Sequence, residues 1–586
     1  MNGRMLLTAW AAILLTCGAE VSDTLRIDDL APYGRGDTAG FQKWCAQVRG
    51  VNQAPPAVVV DGVTLPISRV KQQRDSLCFN LAEGVNSGPV WLSAGGFTSN
   101  AVWLSTRQSW VQSPSQDRLV TINDRVVTAL DLVSLILREN TNGLLETRRI
   151  ALQYDVDIVG VIPPLNVVQV RLRARTLAAR HSIVSSMKSD PAVQGIVVED
   201  DNPERPEDPE RIIEPPDQAG WIANKLEQAV EAFKHNVREQ GRSFQPTNVV
   251  VGVVEKGVNF ESTDFSAFAA PCKGVGTCLY ARHSSAINGH GSVVAGILAA
   301  RLYPRGNVAF LSRLGAVGGR FDIIVDRGAA SGVTARIAAS VNLVEDGARV
   351  LNWSWGVHRI GTLNLRGEPV DINVRTDEAM AGYELLLRRF FDWLEHRHSS
   401  VVVVNSAGNS ASTTDDHLPA SLSSAQLVVV GGHQRSRQVV DVADPRFAVP
   451  RSSSNVGPRI DISAAACPNP SRSTAVRAGR GGGCGTSYAA ALVTGVVAAM
   501  ISINPDLTPR QIKHLLRQSA LPMIARPDQA RRIGPTRPIR AAACSNNVAC
   551  AVEQFARLDM HQALALAVKT KRHPSMAEDG GGELLE

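Results

Sequence analysis

Four short stretches of this 586-residue chain set reactive side chains beside glycines and other small residues. Gly289-His290-Gly291-Ser292 opens a run of small apolar residues at helical spacing, so an imidazole stands at a helix's N-terminal edge. Gly485-Thr486-Ser487 opens a second such helix. Its hydroxyl lies where unpaired backbone N–H groups point outward and the helix dipole favours a developing negative charge. Ser406-Ala407-Gly408-Asn409 follows an apolar strand and offers a side-chain amide of the kind that holds an oxyanion. Val253-Val254-Glu255-Lys256-Gly257 ends another apolar strand on a carboxylate. Acyl transfer by a serine needs a base for its proton, a carboxylate to fix the base's tautomer, and donors for the tetrahedral oxyanion. Each stretch supplies one of these parts. A lone histidine or Gly-Thr-Ser is more often structural, so the weight rests on all four occurring together.

In this order the motifs resemble those of the subtilisin-like serine proteases. Gly289-His290-Gly291-Ser292-Val293-Val294-Ala295-Gly296 is similar to that family's histidine motif, and Gly485-Thr486-Ser487-Tyr488-Ala489 to its serine motif. Asn352-Trp353-Ser354-Trp355-Gly356 is similar to its substrate-pairing strand, and Ala407-Gly408-Asn409 to its oxyanion-hole loop. Leu418-Pro419-Ala420-Ser421 and the stretch 453–465 are smaller echoes, and the likeness covers residues 245–520 or so. The resemblance implies a secreted serine endopeptidase made as a proenzyme. In it Ser487 would attack the peptide carbonyl, His290 would act as base and then acid, and Glu255 would orient the imidazole. Asn409 and the Ser487 N–H would hold the oxyanion. Ser354, Trp355 and Gly356 would pair with the backbone of a peptide or protein substrate as an added strand, with Ala407 and Gly408 lining the same site. Residues 148–201 would be the chain's own propeptide, both chaperone and inhibitor, and 202–217 the processing region. Calcium is common in the family, but no oxygen-ligand loop assembles from the spacing here, so no cofactor is expected.

Two positions depart from the pattern. Where the family has Asp followed by Ser or Thr and Gly, this chain has Glu255-Lys256-Gly257, a carboxylate one methylene longer with a cation beside it that could draw it away from His290. A displacement of about 1 Å in a catalytic group can cost roughly a hundredfold in rate, although glutamate serves this role in some hydrolase triads. Asp264 is a nearby alternative orienter. Ala491 stands where the serine helix of the family usually carries Pro, a change a helix accepts readily. The alternative reading is therefore a catalytically inactive subtilase fold acting as a binding or assembly factor.

The elements that position these groups read as an α/β peptidase domain over 218–570. Thr247 to Val254, Ala348 to Trp355, Val401 to Asn405 and Gln426 to Val430 read as buried strands; His290 to Arg301, Glu378 to His396 and Ser487 to Ile503 read as helices. The alternation predicts a mostly parallel sheet with helices on both faces. Thr508-Pro509-Arg510-Gln511 reads as a capped helix start. Upstream, 148–201 reads as a small α+β unit with a strand from Asp157 to Leu172, a helix from Ala174 to Lys188 and a strand from Gln194 to Val198. The segment 202–217, dense in Pro and charge, reads as a solvated linker. Residues 20–147 read as a β-rich domain of unassigned role. Within it, Pro89 to Ser93 and Ala101 to Ser105 repeat Val-Trp-Leu-Ser around Gly95-Gly96 as a hairpin. The tail 571–586 reads as disordered.

Composition narrows the rest. Length is several times that of a single domain of about 100–200 residues, and 44% hydrophobic with 20% charged residues is ordinary globular content. A net charge of +6 over such a length forms no basic block, and 5% aromatic residues give few stacking platforms, so no nucleic-acid partner is expected. Residues 1–19 read as a signal peptide: a basic Arg4, a short apolar run to Thr16, and the small-residue site Cys17-Gly18-Ala19. That run is shorter than the ~20 residues of a membrane span, and no transmembrane span is expected. A lipoprotein signal cut before Cys17 is the other reading, which Thr16 fits poorly. Of nine cysteines the remaining eight fall into four local pairs, Cys45 with Cys78, Cys272 with Cys278, Cys467 with Cys484 and Cys544 with Cys550. That pattern after a signal predicts disulfides and a secreted or periplasmic location.

Overall fold

Runs of branched aliphatic residues build the sheet that carries the candidate site. In the computed structural model these runs form parallel strands in the spatial order Gly276–Ala281, Arg320–Asp326, Asn248–Val254, Val350–Trp353, Val402–Ser406, Leu427–Arg435 and Ile462–Ala465. The structure describes residues 25–573 apart from 34–42, 52–54, 82–83, 107–108, 123–125, 201–219, 240–244, 256–257, 261, 266–267, 269–271, 273–275, 283–288, 303–307, 327–331, 371–373, 437–438, 468–483 and 525–553. The strands are apolar on both faces because helices cover both. One face holds Leu226–Glu239, Gly289–Leu298, Thr486–Ile503 and Met560–Arg572, the other Val333–Glu345 and Asp377–Arg397. The expected subtilisin-like α/β sheet is thus present. Two of its strands, Gly276–Ala281 and Arg320–Asp326, and the helix Val333–Glu345 were not singled out in the sequence.

The helix Thr486–Ile503 is long and apolar enough to cross a membrane, yet every residue of it is buried inside the protein. Its alanines and glycine let it lie close on four strands, while Leu492, Val493, Val496 and Val497 each contribute roughly 1.5–3 kcal/mol by burial. Thr508 caps the next helix, Pro509–Gln518, in a full capping box with Gln511. The final helix, Met560–Arg572, extends two residues into the tail expected to begin at 571. Lys569, Lys571 and Arg572 sit in its last turn, where cations suit the helix dipole.

Upstream lies a four-stranded antiparallel sheet in the order Asp157–Ile162, Val167–Arg171, Leu132–Leu137, Val193–Val198, backed by helices Gly143–Gln153 and Leu177–Lys188. It differs from the sequence reading in two ways. The wholly buried run Leu132–Leu137 lies inside the sheet, so the unit begins before residue 148. The single strand expected from Asp157 to Leu172 is two strands, because Pro163 and Pro164 break it and Asn166 turns the chain with φ 53°.

The region before it pairs Arg26–Pro32, Lys43–Arg49, Ser76–Asn80 and Val70–Gln73 in one antiparallel sheet stapled by Cys45–Cys78. The expected hairpin forms from Gly88–Ala94 and Val102–Leu104. Val102 also pairs in parallel with Ala281, so the hairpin extends the main sheet. Cys272–Cys278 and Cys467–Cys484 are bonded as well. The signal, the linker 202–217, the Cys544 and Cys550 pair, Lys256 and the tail beyond 573 lie outside the described residues.

Candidate functional site

Glu255 is the first residue beyond the strand Asn248–Val254, in the middle of the sheet, and only 8% exposed. Its Oε2 lies 3.2 Å from Nδ1 of His290, the second residue of the helix Gly289–Leu298. An ionised carboxylate only accepts, so Nδ1 carries the proton and Nε2 keeps its lone pair. The imidazole ring lies 5.4 Å from that of Tyr488, which sets it against the first turn of the helix Thr486–Ile503. The other oxygen, Glu255 Oε1, is buried without a partner among the described residues. Asp264 is buried too, and it is Glu255 whose carboxylate the imidazole meets.

Ser487 occupies the second position of its helix, 5% exposed, after Gly485 in extended conformation. Its hydroxyl donates to the Ser354 carbonyl at 3.4 Å, and the Ser354 hydroxyl donates back to the Ser487 carbonyl at 3.0 Å. Asn352 supports this exchange by donating to Ser354 Oγ at 2.9 Å while accepting from Thr494 at 3.0 Å. Nothing in the sequence marked Asn352 and Thr494 as partners, since a strand and a helix more than a hundred residues apart supply them.

Asn409 is exposed, and its carbonyl oxygen accepts from Thr486 N at 2.8 Å and Thr486 Oγ1 at 3.1 Å. Holding the oxygen turns the amide N–H groups away from the helix backbone, toward the opening beside Gly485. Gly408, with φ 101°, donates to Thr486 Oγ1 at 3.2 Å. Buried Asn455 fixes the loop's other side: it donates to the Ala407 carbonyl at 2.9 Å and accepts from Ser410 N and Ser412 N, each at 3.0 Å. Asn405 closes the frame by donating to the Trp353 and Trp355 carbonyls at 3.0 and 2.9 Å.

Ser354, Trp355 and Gly356 leave the strand Val350–Trp353 on the same side. The Trp355 indole packs 5.0 Å from Trp353 with the Arg336 guanidinium 5.1 Å over it, so this side chain belongs to the core and the segment offers its backbone. The structure thus gathers Glu255, His290, Ser487, Ser354, Gly356, Ala407, Gly408 and Asn409 along one end of the parallel strands. Among the described residues no group of three or more His, Cys, Asp or Glu side chains could hold a metal ion.

A family model described as the subtilase family matches residues 246–561. Among solved structures the chain is similar to fervidolysin from Fervidobacterium pennivorans, a keratinolytic enzyme related to subtilisin. The identity is 19% and the TM-score 0.46, over 78% of this chain and 63% of that one. It is also similar to the epidermin leader peptide processing serine protease of Staphylococcus aureus, at 16% identity and a TM-score of 0.44, over 75% of this chain and 99% of that one. The chain therefore spans less than two thirds of fervidolysin's length. No curated protein matches it.

Proposed function

The chain belongs to the subtilase family, and on that premise we propose that it is a serine endopeptidase, made as a proenzyme, that works through a Ser487, His290 and Glu255 triad. The observation that carries this reading is the 3.2 Å contact between His290 Nδ1 and the Glu255 carboxylate, beside the first turn that bears Ser487. With Nδ1–H committed to Glu255, Nε2 is the basic nitrogen. The Ser487 hydroxyl turns from the Ser354 carbonyl, gives its proton to Nε2 and attacks the substrate carbonyl. Glu255 stabilises the imidazolium, and the oxyanion takes hydrogen bonds from Asn409 Nδ2 and the Ser487 N–H. His290 then protonates the leaving amine, and water repeats the cycle on the acyl-enzyme. The substrate backbone lies along Ser354 to Gly356 and opposite Ala407 and Gly408.

The proenzyme part of the proposal draws support from the small α+β unit's grip on the peptidase helices. Glu199 accepts from Val333 N at 3.3 Å and Thr334 N at 3.1 Å, capping one helix. Asp200 accepts from Thr376 at the start of another. The chain then enters 201–219, where cleavage would free the enzyme from its inhibitor. Secretion or export to a periplasm is supported by the three disulfides. The second reading, an inactive subtilase fold acting as a binding or assembly factor, is favoured by the Ser487 hydroxyl being engaged with Ser354.

Mass spectrometry of the secreted chain beside Ser487→Ala, from one host, separates the two. Processing within 201–219 in the wild type, with the variant left joined, is the expected result. If both stay intact and neither hydrolyses casein, the binding reading replaces the protease.

A further inference from the structure

The two segments that would flank the reacting residue of a bound peptide, Ser354 to Gly356 and Ala407 to Asn409, carry glycines that face one common group. A Cβ built on Gly356 would stand 2.0 Å from Cε1 and 2.2 Å from Nε2 of His417, and one on Gly408 would stand 3.0 Å from the same Nε2. The imidazole is therefore wedged between two bare backbones, in van der Waals contact with both. His417 is 3% exposed and held from behind. It pairs across strands with His358, whose ring lies 4.6 Å away, and its carbonyl accepts from Ser421 N at 2.8 Å.

We infer that His417 is a specificity-determining residue that restricts the acyl-side residue of the cleaved bond to Gly, Ala or Ser. This rests on the protease reading above, because it concerns the side chain of the residue whose carbonyl meets Ser487 and Asn409. With that carbonyl in place, the side chain projects between the two glycine-bearing segments, whose walls contribute backbone alone. Depth there is set by what stands between them, and the imidazole occupies the volume a Leu or Phe side chain would need. A methyl or hydroxymethyl group stops short of the ring. Larger side chains collide with a residue fixed by strand pairing and by the ring beneath it, and packed groups of this kind do not yield without cost.

The test uses the processed wild-type chain, His417→Ala and His417→Gly on internally quenched peptides that differ only in Ala, Leu or Phe before the cleaved bond. The wild type is expected to favour Ala over Phe in kcat/KM by about a hundredfold. Opening the floor should raise the Phe to Ala ratio at least tenfold, within the range of roughly 10- to 200-fold that a hydrophobic pocket gives per methylene-sized change. A wild type that cuts after Phe as readily as after Ala overturns the inference, and so do folded variants that keep the wild-type ratio. If neither variant folds, the wild-type cleavage profile of an unsorted peptide library decides: small residues before the cut support the inference and large apolar ones overturn it. Fluorophosphonate labelling of Ser487 tells the two failures apart. A chain that neither labels nor cuts any peptide sinks the protease reading and this inference together, whereas a labelled chain that prefers Phe sinks this inference alone.

Discussion

A glutamate at 255 changes what the strand before it must deliver. The longer side chain reaches His290 at 3.2 Å from a backbone fixed in the middle of the sheet, between two parallel neighbours. Shortening it by one methylene leaves the backbone in place and withdraws the carboxylate by more than 1 Å, so Glu255→Asp should lower kcat about a hundredfold. Glu255→Gln keeps the length but supplies an amide N–H where His290 Nδ1–H needs an acceptor. It should cost on the order of 10³ to 10⁴ in kcat with KM little changed. Steady-state kinetics on the three proteins decide. Full activity in Glu255→Gln would remove Glu255 from the triad. At this scale the groups with contiguous motifs were legible: His290, Ser487, Asn409 and Glu255 each sit in a recognisable run of small residues. Asn352, Asn455, Thr494 and His417 were not, because their roles exist only once distant elements meet. Asn455 fell within one of the echoed stretches but carried no signal of its own.

Among the elements, the parallel strands of the peptidase sheet announced themselves as apolar runs. The small sheet of Val357–Arg359, Val374–Arg375 and His417–Leu418 did not. Two of its strands are three residues or fewer, too short for a period of two to register, and its central pair is His358 opposite His417. Burial holds His358 down at about pH 4, with the Arg375 charge adding to that and a backbone contact with Asp416 opposing it. His417 is likewise pushed well below its ordinary value by burial and by His358. Both are therefore neutral in the fold. Unfolded histidines take up protons near pH 6.5, and the folded His358 only near 4. The stability linked to His358 is thus whole above about pH 6.5 and is lost progressively as pH falls toward 4. Between pH 7 and 5 the loss should be about 2 kcal/mol from this residue. Urea unfolding of the Ser487→Ala chain at the two pH values measures it, and His358→Gln should shrink the drop by a comparable amount. An unchanged pH dependence in that variant would mean the ring is protonated in the folded state.

At the scale of the molecule, the helix Val333–Glu345 joins all three parts of the chain. Its N-terminus is capped by Glu199 from the antiparallel sheet, and Asp346 at its other end accepts from Trp103 Nε1 at 2.8 Å and from Ser105 of the N-terminal hairpin. Arg282 ties that end in by donating to Ser105 at 2.9 Å and to Asp326 at 2.7 Å, fully within the core. None of this was readable from local patterns, since a buried carboxylate meets its donors only after three separately coded units dock. Glu199→Ala should accordingly cost far more than its place at the end of a strand implies. It strips the acceptor from Val333 N, Thr334 N and, at 3.1 Å, the Tyr383 hydroxyl. Each buried donor left unpaired costs roughly 1–3 kcal/mol, so with partial relaxation a loss of about 2–4 kcal/mol is expected. The exposed ion pair of Lys188 with Glu378 bridges the same two parts at 2.8 Å and provides the control. Glu378→Gln should change stability by less than about 1 kcal/mol, because water screens that pair. Urea midpoints of both variants in the Ser487→Ala background give the comparison. Equal, small effects would mean that the antiparallel sheet leans on this helix without holding it.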